Sequence, residues 1–235
     1  MKKCLIEAVE LRKTYGEGDG MTVALDGVSF EIFEGEFVVI LGPSGCGKSS
    51  LLNIISGVDK ADSGKIICGG HNIADYNSRE LTEYRSEFIG YVFQSFNLLE
   101  DLTVYANVVI APGANRNRKA VESLLDSVGL LEKKNRHPRQ LSGGEQQRAS
   151  IARALNKSSE VLICDEPTGA LDYNSGKAVL NLLEKINLEQ NKTIIFVTHT
   201  KEISRMASRI ITMKNGKITS DSINNDRVSS AEVDW

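Results

Sequence analysis

A chain of 235 residues with 41% hydrophobic and 25% charged residues has the composition of an ordinary globular domain, neither disordered nor fibrous. Its formal charge of −3 lacks the basic excess of a nucleic-acid-binding domain, so no nucleic-acid partner is expected. Cys4, Cys46, Cys68 and Cys164 form no CxxC pair and His71, His137 and His199 are scattered, which excludes a clustered metal motif and favours reduced thiols.

Along the chain, Met1-Lys2-Lys3 leads into a short apolar stretch broken by Glu7 and Glu10, unlike a signal peptide. No apolar run approaches the ~20 residues that span a bilayer. Val28, Phe30 and Ile32 alternate with polar neighbours, the pattern of a half-buried strand. Phe37-Val38-Val39-Ile40-Leu41 is continuously apolar and ends at Gly42-Pro43, as a strand buried on both faces does. A helix is expected from Lys48 to about Ser56.

From about Ser78 to Gln140 the signals are mainly helical. Val121, Leu124, Leu125 and Val128 recur at i, i+3, i+4, i+7, and Gly129 stands where that helix would stop. A further helix is expected from Glu145 to about Leu155. Two more buried strands follow, Val161 to Cys164 and Thr193 to Val197, and Asn215-Gly216 between Ile210 and Ile218 signals a hairpin. Residues 220–235 are polar and are expected to be loosely ordered. The order predicts one α/β domain over 1–235, with a mostly parallel central sheet and a helical lobe inserted at about 78–140.

Three short segments carry chemistry. Gly42-Pro43-Ser44-Gly45-Cys46-Gly47-Lys48-Ser49, with Ser50 next, fits the GxxxxGK[ST] loop. Its glycines let backbone N–H groups curl around an anion, Lys48 adds charge at the β- and γ-phosphates, and the Ser49 hydroxyl suits Mg²⁺. The helix that follows directs its positive end at the same place. Cys46 is either a thiolate favoured by this anion-binding loop or an inert small residue. Asp165 and Glu166 end an apolar strand, where α/β sheets place ligands. Asp165 is the natural Mg²⁺ partner and Glu166 can orient or polarise an attacking water. Finally, Ser142-Gly143-Gly144-Glu145 before a helix makes a second anion-binding helix start.

Leu141-Ser142-Gly143-Gly144-Glu145-Gln146-Gln147-Arg148 resembles the LSGGQ signature of ATP-binding cassette (ABC) ATPases, with Glu145 where glutamine is commonest. The family's other motifs fall in order over nearly the whole chain. The resemblance implies that Tyr15 stacks on adenine, that Gln94 senses Mg²⁺ and the water, and that His199 is the switch histidine. Ala170-Leu171-Asp172 resembles the D-loop, though Asp172 also suits the cap of the next helix. The implied fold is a P-loop α/β core, an antiparallel β region and an α-helical subdomain carrying the signature.

The segments from Gly90 to Leu99 and from Asp165 to Asp172 resemble the macrolide-exporter, lipoprotein-releasing and antimicrobial-peptide-resistance branch. That branch implies an FtsX-like permease partner and a cytoplasmic subunit on the inner face of the cell membrane. It also implies a head-to-tail homodimer closing on two ATP with Mg²⁺. The function expected is ATP hydrolysis driving transport; the alternative is mechanical signalling that regulates cell-wall hydrolases. The apolar set Phe93, Phe96, Leu98, Leu99 and Leu102 is expected to contribute to a groove for a permease helix.

Overall fold

The structure is a computed structural model and describes residues 2–235. The chain begins with β1 (Cys4–Tyr15) and β2 (Thr22–Phe33), paired antiparallel, then β3 (Phe37–Leu41) and α1 (Lys48–Ile55). β4 (Ser63–Cys68), β5 (His71–Asn72), α2 (Ser78–Glu87) and β6 (Ile89–Val92) follow. Next come α3 (Val104–Val109), α4 (Arg118–Ser127) and α5 (Gly143–Leu155), then β7 (Val161–Asp165), α6 (Tyr173–Gln190) and β8 (Thr193–Thr198). The chain closes with α7 (Lys201–Ser204), β9 (Arg209–Lys214) and β10 (Lys217–Ile223).

Two sheets result. The antiparallel sheet has the order β2-β1-β4-β5, and the central sheet the order β10-β9-β3-β8-β7-β6. In the central sheet β9, β3, β8, β7 and β6 run parallel, and β10 joins antiparallel at the edge. The β9–β10 turn is the expected Asn215-Gly216 pair, with φ of 49° and 74°, the signs that a type I′ hairpin demands.

The continuous apolar runs are buried on both faces of the central sheet, and period two sorts their side chains. Val38, Ile40, Ile163, Ile195 and Val197 face the antiparallel sheet and α1, together with Leu51, Leu52 and Ile55. Phe37, Val39, Leu162, Cys164 and Phe196 face the other way, towards Val179 and Leu183 of α6 and Ala149 and Ile151 of α5. Thus α1 and α5 pack on opposite faces of one sheet.

Two expectations need correction. The stretch 78–140 holds α2, α3 and α4 joined by loops, and it also contains β6, which pairs with β7 over Ile89 to Val92. Four residues are too few for period two to register against a helical background. Residues 220–235 are not loose either. β10 extends to Ile223, and beyond it Val233 is fully buried while Trp235 packs on Tyr173. The side chains of Asn224, Arg227 and Ser230 are hydrogen-bonded to the α7–β9 link and to α6.

Candidate active site

β3 delivers the chain into a tight loop, and two glycines there leave no room for a side chain. A Cβ on Gly42 would lie 2.4 Å from the Met213 carbonyl oxygen. Gly47, at φ +106°, would place one 2.3 Å from the Ala24 carbonyl oxygen. Lys48, at 5% exposure, opens α1, and its Nζ donates to the carbonyls of Gly42 (2.8 Å) and Pro43 (2.9 Å). Pro43, Ser44 and Gly45 are exposed, as is Ser49, while Ser50 is half-buried in the first turn of α1. An exposed loop backed by a buried ammonium and a helix N-terminus is built for an anion. Cys46 differs from its neighbours: at 3% exposure it faces the core, and its carbonyl accepts from Gly216 N at 3.0 Å. It is a packing residue, not a side chain presented to the loop's mouth.

Parallel pairing of β6, β7 and β8 brings three motifs together at their carboxyl ends. Asp165 ends β7 half-buried, and the Tyr91 hydroxyl donates to its Oδ2 at 3.4 Å. Burial first, and then the charge of Glu166, hold the Asp165 carboxyl above its ordinary range, against the Tyr91 hydrogen bond and the Lys48 charge. Glu166 adopts φ +45°, a left-handed backbone uncommon outside glycine, fixed by hydrogen bonds from its N–H to Val197 O and from Gly169 N–H to its carbonyl, each 3.0 Å. That turn aims its side chain at His199, just past β8, where Nδ1 lies 3.2 Å from Oε1. A carboxylate only accepts, so the contact selects the His199 tautomer with the proton on Nδ1. Gln94, exposed after β6, rests its Nε2 against Gly169, 2.8 Å from where a Cβ would stand. Gln94, Glu166 and His199 therefore line one corner.

Tyr15 ends β1 at 40% exposure. Its hydroxyl donates to Asp59 Oδ2 at 2.8 Å, Lys13 Nζ lies 5.1 Å over the ring, and the Ser50 hydroxyl acts on the phenol from the first turn of α1. An exposed ring is thus anchored beside the phosphate loop.

Ser142 caps α5: its Oγ accepts from Glu145 N at 3.4 Å, and Glu145 Oε2 accepts from Ser142 N at 3.0 Å. The other Glu145 oxygen is paired with Lys133, which together with burial-opposed backbone bonds holds the carboxyl below its ordinary range. Glu145 thus serves the helix start in this chain, while Ser142 is exposed and Gly143 half-exposed. Asp172 takes the capping role: its Oδ1 accepts from Ser175 N at 3.0 Å at the head of α6.

Residue patterns alone did not single out Tyr91, Gln147 or Arg153. Gln147 Nε2 donates to Phe93 O at 3.2 Å, and Arg153 donates to the carbonyls of Phe96 (3.0 Å) and Asn97. Phe96 and Asn97 sit at φ 59° and 49°, so α5 grips the Gln94 loop at a strained bend. A polar residue on the buried stripe of α5 was the available signal for Gln147.

A glycine loop opening a helix, a buried lysine across its mouth and a strand-end carboxylate define a P-loop nucleoside triphosphatase. A family model described as ABC transporter matches residues 25–169, and the chain belongs to that family. An uncharacterized ABC transporter ATP-binding protein of Methanocaldococcus jannaschii is 42% identical over 219 residues, 91% of this chain and 97% of the relative. The macrolide export ATP-binding/permease protein MacB of Vibrio parahaemolyticus is 40% identical over 230 residues, 95% of this chain but 35% of that longer protein. The dimeric post-hydrolysis structure of the ATP-binding cassette MJ0796 bound to ADP and Pi superposes with a TM-score of 0.85 at 39% identity, covering 94% of this chain and 99% of that one. The chain is an ATP-binding and ATP-hydrolysing subunit, related to the macrolide-exporter branch.

Proposed function

We propose that two copies of this chain close head to tail around two ATP molecules and so drive a membrane transport complex. One observation carries the reading. The phosphate loop opens α1 and the signature opens α5, yet these helices pack on opposite faces of the central sheet. The exposed Ser142 and half-exposed Gly143 have no nucleotide to meet within their own chain. A second copy related by two-fold symmetry supplies each phosphate loop with a signature and completes two sites at once.

Within each site, Lys48 and the amides of Ser44 to Ser49 bind the phosphates, and Tyr15 offers its exposed ring to the base. The donors near Asp165 suit a hard divalent cation, because Ser49, Gln94 and Asp165 all offer oxygen. Among the described residues no group of three or more His, Cys, Asp or Glu could hold a metal. That fits Mg²⁺, which takes much of its shell from phosphates and water; bound here it neutralises phosphate charge. Glu166 takes the proton of the attacking water, and His199 holds that carboxylate in place. Preorganised charge and positioning supply most of the acceleration in such transfers.

The partner proposed is a permease. Among the described residues no helix is long and apolar enough to cross a membrane, and the MacB relatives carry "permease" in the same printed name as "ATP-binding". A groove of about 320 Å³ lies where β6 meets α2 and α5, lined by Val58, Tyr91, Phe93 and Ala111 with Arg85, Arg153 and Lys157. Its apolar walls suit a short helix on the cytoplasmic face of an FtsX-like membrane protein. The test of the dimer is Glu166→Gln, which keeps the size of the side chain and removes the base. With ATP this variant is expected to double its mass in light scattering and to release phosphate about 10²–10⁴-fold more slowly. A protein that stays monomeric with bound ATP contradicts the reading.

A further inference from the structure

Beyond β10 the chain runs back along α6 and is fastened at each step. Arg227 Nε donates to Met206 O at 2.6 Å, and its Nη2 to Asn187 Oδ1 at 3.2 Å. Ser230 donates from its N–H to Glu184 Oε2 at 3.0 Å and from its Oγ to Asn181 Oδ1 at 2.6 Å. Val233 is 0% exposed in the core against α6. Lys177 Nζ donates to Val233 O and lies 3.6 Å from Asp234. The Tyr173 hydroxyl donates to Asp234 Oδ1 at 2.6 Å, and the Tyr173 and Trp235 rings sit 5.2 Å apart. The segment thus passes from the last half of α6 to its first turn.

Trp235 covers Gly176, where a Cβ would stand 3.0 Å from the indole. One residue earlier, Ser175 fills the space over Gly144 of α5, where a Cβ would stand 2.7 Å from the serine Cβ. Gly143 in turn faces Leu171, at 3.4 Å for a Cβ. The signature end of α5 is therefore seated on the first turn of α6, and the tail clasps that same turn. Two glycines allow the two close approaches.

We propose that residues 227–235 form a clamp that fixes the first turn of α6, and through it the signature, for the second copy. Trp235 and Lys177 are positioning residues for closure of the dimer, not ligands of the nucleotide. The inference rests on the dimer reading given above.

The test uses the full chain carrying Glu166→Gln, with Trp235→Ala, Trp235→Phe or Lys177→Ala added, and Arg227→Ala as the control. Arg227 loosens the same tail but far from the first turn. Binding of a fluorescent ATP analogue by the monomer is expected to be unchanged in all. The protein concentration at half dimerisation with ATP is expected to rise roughly threefold to tenfold for Trp235→Ala and Lys177→Ala, the scale of one aromatic or cation–π contact. Trp235→Phe is expected to restore most of the loss, and Arg227→Ala to shift the midpoint less at an equal loss of thermal stability. The single tryptophan of the chain makes the clamp visible by its fluorescence, which should shift to the red in Lys177→Ala. Equal shifts for Arg227→Ala and Trp235→Ala reduce the tail to a stabiliser and overturn the inference. An unmoved midpoint in Trp235→Ala overturns it alone, whereas a Glu166→Gln parent that never dimerises overturns the dimer reading as well.

Discussion

Asp165 and Glu166 are neighbours in sequence and opposite in setting: one carboxyl is held in by burial, the other turned out to His199 by a left-handed backbone. The Asp165 carboxyl titrates above its ordinary 3.8. In the window just above that value the folded chain therefore binds a proton that the unfolded chain has already lost, and stability falls as pH rises through it. Asp165→Asn removes this charge. The nucleotide-free variant is expected to melt higher than the wild type at pH 7 by a few degrees, with a smaller loss between pH 4 and 7, while ATP hydrolysis disappears. Thermal melts across that range and a phosphate-release assay check both halves; an unchanged or lower melting point shows that the carboxylate is not held at a cost. At this scale the sequence revealed identities but not directions. The motifs named the segments that meet at the candidate site, yet no pattern could show that Cys46 points into the core or that Glu145 spends its charge on Lys133. Cys46 and Cys164 are buried, and so is Cys68, whose thiol burial pushes up to about 12; only Cys4 is half-exposed. Brief maleimide treatment is expected to give at most one adduct, at Cys4, with ATPase activity intact. Mass spectrometry showing Cys46 modified in the folded protein would reverse this.

Elements were legible where their period ran long enough. The runs at 37–41, 161–164 and 193–197 read as buried strands because apolar, mostly β-branched residues continue on both faces. β6 was hidden because it is four residues long and contains Gly90, whose missing side chain admits Ser159 and the Ala154 carbonyl. The signature glycines show the same logic inside a helix. A Cβ on Gly144 would lie 2.7 Å from the Cβ of Ser175, but one on Gly143 meets Leu171 and Phe96 at ordinary distances of 3.4 and 3.6 Å. Helix propensity favours alanine over glycine at either position, though by less than the ~1 kcal/mol of a helix interior because both stand in the first turn of α5. Overpacking of α5 on α6 costs about 1–3 kcal/mol and applies only at Gly144. Gly144→Ala is therefore expected to lower the urea midpoint, and Gly143→Ala to leave it equal or higher. Equal midpoints for the two would mean that α5 and α6 part without resistance.

On the scale of the whole molecule, the groove and the carboxylates at the end of β7 are joined by packing. Phe93 lines the groove and stacks on Tyr91 with ring centroids 4.2 Å apart, and Tyr91 reaches Asp165. Gln147 and Arg153 tie the same loop to the signature helix. A helix seated in the groove thus touches a structure continuous with both halves of the nucleotide site, which is what transmission between ATP and a membrane partner requires. The groove also has a sign. Arg85, Arg153 and Lys157 line it, and among the described residues none of the three pairs with a carboxylate. Their donors are held by backbone carbonyls and, for Arg85, by the Thr82 hydroxyl as well, and burial lowers the affinity of Arg153 and Lys157 for their protons. A carboxylate on the incoming helix would relieve that penalty. Phe93 and Val58, 36% and 64% exposed, stand on the groove walls, whereas Phe96 is half-buried at a left-handed bend and suits a structural role. Phe93→Ser and Val58→Ser are expected to keep folding and ATP binding while weakening capture of the permease about tenfold each, the usual loss for an apolar anchor. Wild-type capture should itself weaken between low and high salt, since the cations steer the encounter. If both folded variants hold the permease with unchanged affinity, the docking surface lies elsewhere on the chain.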